Sequence, residues 1–68
     1  MNAAAPPCTR HQLRIIAANQ DPSTRCVDSL AHGHVTARRL SNLRNVFEVF
    51  VLERGAVVAT YVSGQRVA

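Results

Sequence analysis

Five side chains in this sequence belong to the types that ligate metals or pair a nucleophile with a base: Cys8, Cys26, His11, His32 and His34. Cys8-x-x-His11 and His32-x-His34 are steps a metal ion could bridge, but taken together they follow no standard zinc spacing. No metal and no cofactor is therefore expected. A cysteine nucleophile with a histidine base also needs a cleft, and 68 residues with four acidic side chains offer little from which to build one. The chain is expected to be non-enzymatic. Its two cysteines read as free thiols of a reducing compartment, with a pairing between them left open.

The other chemistry is charge. Eight arginines stand against two aspartates and two glutamates, with no lysine at all, for a net charge of +4. That balance fits a nucleic acid or an acidic protein surface as partner. Arg38 and Arg39 are adjacent in a segment of helical periodicity, where a pair of guanidiniums can contact a partner or simply form a solvated helix face. Arg54 sits beside Gly55 between two apolar runs, and so at the tip of a hairpin. No run of roughly 18 apolar residues spans a membrane, and MNAAAPPC lacks the basic and apolar regions of a secretion signal. A cytoplasmic protein is expected.

Those charges are positioned by a scaffold centred on residues 46–62, VFEVFVLERGAVVATYV, the densest β-branched and aromatic stretch of the chain. Arg54-Gly55 supplies the turn, and a type I′ turn there would force Arg54 to positive φ. Parity across a two- or four-residue loop puts Phe47, Val49, Val51, Val58, Thr60 and Val62 on one face. Glu48, Phe50, Leu52, Val57, Ala59 and Tyr61 fall on the other. Residues 1–9, with Ala-Ala-Ala-Pro-Pro, read as a disordered lead, and residues 10–68 as one small domain. Residues 10–19 fit a strand or a helix capped by Thr9. Residues 24–30 fit a return strand or a helix capped by Ser23. Residues 30–45 are read as mostly helical, with Gly33, Thr36, Ala37, Leu40, Leu43 and Phe47 forming a single stripe. Ser63-Gly64 is a turn leading to a tail or a short edge strand.

Two architectures satisfy this pattern. One is α+β, a single antiparallel four-stranded sheet with one helix on one face (ββαββ); the other is a winged helix-turn-helix with three helices before the hairpin. For the second, HVTARRLSNLR resembles the turn and recognition helix of bacterial repressors, which implies a DNA-binding regulator with Arg38, Arg39 and Asn42 in the major groove and Arg54 on phosphate. For the first, DSLAHGHVTARRL followed by FEVFVLERGAVVATYVSGQRV is similar to small phage and mobile-element proteins of the anti-CRISPR type. The apolar character of the hairpin favours ββαββ, because such a hairpin needs a sheet to join.

One helix covers only one side of a sheet, so Phe50, Leu52, Val57 and Tyr61 are expected on an open face, rimmed by Arg38, Arg39 and Arg54. The resemblance then implies an inhibitor working in the cytoplasm of a bacterial host cell. It would bind a host protein or ribonucleoprotein complex, with a homodimer as a further use of the face and only weak, non-specific nucleic-acid binding.

Overall fold

A computed structural model describes residues 10–68. The element order is β1 (His11–Ala17), β2 (Ser23–Cys26), α1 (Leu30–Ser41), β3 (Val46–Glu53), β4 (Ala56–Val62) and β5 (Gln65–Arg66). All pairings are antiparallel and form one five-stranded sheet in the order β2-β1-β3-β4-β5. The fold is therefore α+β, with one helix on one sheet. Four strands were expected, and β5 makes a fifth. Both ambiguous segments are strands, since each pairs where it can extend a sheet on β3. Among the described residues the three-helix arrangement thus does not form: α1 is the one helix, and HVTARRLS, the first part of the repressor-like stretch, lies within it. The expected lead, residues 1–9, lies outside the described residues.

Helix α1 begins where Ser29, in extended backbone, accepts a hydrogen bond from the His32 amide at 3.1 Å, satisfying one of the free donors of the first turn. It ends at Ser41 instead of continuing to residue 45, because Asn42 caps it and the chain turns through the Leu43–Leu40 and Val46–Leu43 backbone bonds into β3. Arg38 and Arg39 occupy the last turn, where the helix dipole favours cations. The buried stripe is Gly33, Ala37 and Ser41, one small residue every fourth position. Smallness lets the helix lie close on the sheet: a Cβ on Gly33 would meet Val27 Cγ2 at 3.3 Å and Val51 Cγ1 at 3.5 Å. Leu40 is only partly buried, and Leu43 and Phe47, expected on the stripe, are exposed.

The hairpin turn is as the sequence implies. Arg54 and Gly55 take φ of 52° and 85°, and Glu53 pairs Ala56 across them. The faces are not, because two irregularities shift the register. Leu52 pairs Val57 but Val51 pairs Ala59, leaving Val58 as an extra residue in β4. Beyond it the parity inverts, so Ala59 and Tyr61 join Val49 and Val51 under the helix. Likewise Ile16 pairs Glu48 while Ala17 pairs Val46, which leaves Phe47 as the extra residue of β3, 58 % exposed, and turns Val46 inward instead. The core is Leu13, Ala37, Val49, Val51, Ala59 and Tyr61, with Ile15, Val27, Leu30, Leu40 and Val46 packed around it.

Candidate binding surfaces

The sheet face away from α1 is read from the register. Gln12, Leu52 and Val57 form one row, and Arg14, Phe50 and Thr60 the next. Phe50 is half-buried and Val57 is exposed, as an open face requires. Leu52 is not open: flanked on the central strand by Gln12 and Val57, it is 4 % exposed. Arg14, exposed and opposite Phe50 in the register, is a guanidinium of this face that sequence reasoning missed. The fork between strand and helix over residues 10–19 left its orientation undetermined. At the hairpin end, Arg54 donates its backbone amide to the Arg10 carbonyl at 2.8 Å. Arg10, Gln12, Arg54 and Gly55 line a cavity of about 560 Å³ there, and Gln12 joins it to the row of Leu52.

Tyr61, expected on the open face, lies on the helix side at 2 % exposure, for the reason that Val58 inverts the parity of β4. Its hydroxyl is 2.7 Å from His34 Nδ1, the two rings meet edge to face, and the Arg38 guanidinium carbon is 5.7 Å from the phenol ring centroid. His34, Val35, Arg38 and Tyr61 line an open cleft of about 300 Å³. A neighbouring cavity of about 470 Å³ shares Val35 and Arg38, and adds Arg39, Asn42 and the β4–β5 turn, Ser63, Gly64 and Gln65. That turn is anchored to the helix by Ser41, whose hydroxyl accepts from the Gly64 amide at 2.9 Å and donates to the Arg38 carbonyl at 3.1 Å. The expected site therefore divides in two. Phe50, Leu52, Val57 and Arg54 stay together, while Tyr61, Arg38 and Arg39 belong to the helix side.

The candidate metal-ligating residues are dispersed. His11 approaches Glu53 at 3.9 Å, His32 approaches Asp28 at 3.8 Å, and His34 is held by Tyr61. No group of three His, Cys, Asp or Glu side chains that could hold a metal occurs among the described residues. Cys26 is disulfide-bonded, which corrects the expectation of a free thiol there; Cys8, the sequence's other cysteine, lies outside the described residues. Histidine is the base in both close contacts to an Asp or Glu found among the described residues, so no arginine there is paired with an Asp or Glu side chain. No described helix is long and apolar enough to cross a membrane. No protein-family model, curated protein or solved structure matches this chain.

Proposed function

We propose that this chain is a non-enzymatic inhibitor of the anti-CRISPR type, a phage or mobile-element protein that occupies a surface of a larger host protein or ribonucleoprotein complex. In this reading a ββαββ unit is the working scaffold, and β5 is an edge addition to it. The observation that carries the reading is the sheet face left uncovered by α1. There Phe50 and Val57 offer apolar contact while Arg14 and Arg54, without carboxylate partners among the described residues, offer charge. Aromatic and arginine side chains are the types that dominate binding energy at protein interfaces. Leu52 sits beside Val57 in the same row but is buried, and is not itself a contact.

The test is inhibition of purified CRISPR effector complexes and restoration of phage plaques in a host carrying them. Phe50→Ser and Val57→Asp should abolish both effects while the melting temperature stays within a few degrees of the parent. If the parent chain binds none of the effector complexes and restores no plaques, the reading is wrong.

A further inference from the structure

On the helix side, away from that face, the cluster of Tyr61, His34 and Arg38 has features of a ligand site. Tyr61 is 2 % exposed, and its hydroxyl has one partner, His34 Nδ1, at 2.7 Å. The hydroxyl and Nδ1 share this hydrogen bond, and in the tautomer in which the phenol donates, the hydrogen of a neutral imidazole sits on Nε2. Were the imidazole protonated, Nε2 would still carry a hydrogen. In these two states His34 carries an N–H donor at Nε2, and the residue lines the 300 Å³ cavity. Arg38 lines the same cavity, its guanidinium placed by the Tyr61 ring, and Arg39 follows in the adjoining 470 Å³ cavity. Neither cavity has an Asp or Glu in its lining, and neither arginine is spent on a carboxylate among the described residues. Val35, 59 % exposed, gives both cavities an apolar wall.

We infer that this cleft between α1 and the β4–β5 hairpin binds the phosphate group of a nucleotide. The guanidinium fork of Arg38 and the Nε2–H of His34 take the phosphate oxygens, Arg39 balances the second negative charge, and the nucleoside lies along Val35. The paired cavities fall in the size range of small-molecule sites, and fixed donors without a competing carboxylate suit an oxyanion. The inference is independent of the inhibitor reading, which rests on the opposite face.

Heteronuclear NMR titration of the intact chain tests it, with AMP, adenosine, inorganic phosphate, a short oligothymidylate and a glutamate-rich peptide as probes at constant ionic strength. AMP should shift the signals of His34, Val35, Arg38 and Gly64, and adenosine should not. Arg38→Gln, at an exposed position, should weaken AMP binding about tenfold, the loss of one charge-assisted contact. An equal response to inorganic phosphate overturns the seat of the nucleoside along Val35, and a stronger response to oligothymidylate supports a nucleotide phosphate carried on a nucleic-acid chain. Absence of a response to every phosphate probe overturns the inference. So does an unchanged AMP affinity in Arg38→Gln, or a response to the acidic peptide alone.

Discussion

Tyr61 does two jobs that separate on substitution. Its ring fills the core beside Val49 and Ala59, and its hydroxyl ties β4 to α1 through His34. Tyr61→Phe keeps the ring and should cost about 1 kcal/mol in urea unfolding, the usual net worth of one hydrogen bond. Tyr61→Ala should cost ~3 to 5 kcal/mol, as for other large aromatic truncations, and leave little folded protein at this size. A Tyr61→Ala chain as stable as the parent would return the side chain to the open face. Arg54 presents the opposite case: it is exposed, yet its backbone sits at φ 52°, where a Cβ is strained. Arg54→Asn, which tolerates that conformation better, should raise the urea midpoint by the equivalent of ~0.5 to 1 kcal/mol. An unchanged or lowered midpoint would show that Arg54 stabilises the turn in some other way. The Arg54 conformation was legible in the sequence because turn chemistry is local. Tyr61 was not, because its side is set by a residue three positions away.

At the scale of elements, the hairpin, the α1 N-terminal region and the Ser63-Gly64 turn could be read directly, since each depends on neighbours in sequence. The helix's inward side could be read only in part: the expected stripe holds the buried Gly33 and Ala37 but omits Ser41. Counting large apolar residues selects Leu40, Leu43 and Phe47, whereas close approach to the sheet selects Gly33, Ala37 and Ser41. Bulges were equally invisible, because β4 alternates plausibly in either parity and only pairing with β3 distinguishes the two. Two consequences follow for stability. Gly33→Ala gains helix propensity of ~1 kcal/mol but presses on Val27, so the net change in thermal melting should be small. Gly33→Leu should instead overpack the interface and cost ~1 to 3 kcal/mol or more. Leu13→Ala, at a fully buried position, should cost ~2 to 5 kcal/mol, more than Leu40→Ala at the half-buried one. The reverse order would mean that α1 is rotated about its axis.

The whole molecule carries +4 on 68 residues, and among the described residues no arginine is ion-paired to an Asp or Glu side chain, so its guanidiniums mostly repel one another. Added salt should therefore stabilise it: the melting temperature should rise between low and physiological ionic strength, as the screening length contracts to about 8 Å. A fall would point to attractive pairs that salt weakens. Duplex DNA should bind weakly, without sequence preference, and release over the same salt range. The outermost strands bear on how copies of the chain can meet. β2 is Ser-Thr-Arg-Cys, exposed throughout, and β5 has only two residues, one of them Arg66. A second copy adding antiparallel to β2 would bring Arg25 near its own symmetry mate, and a two-residue β5 has too few free amides and carbonyls to template a neighbour. Growth of the sheet by edge-to-edge stacking is thus opposed on both sides, which steers self-association away from open-ended fibres and toward closed pairs meeting face to face.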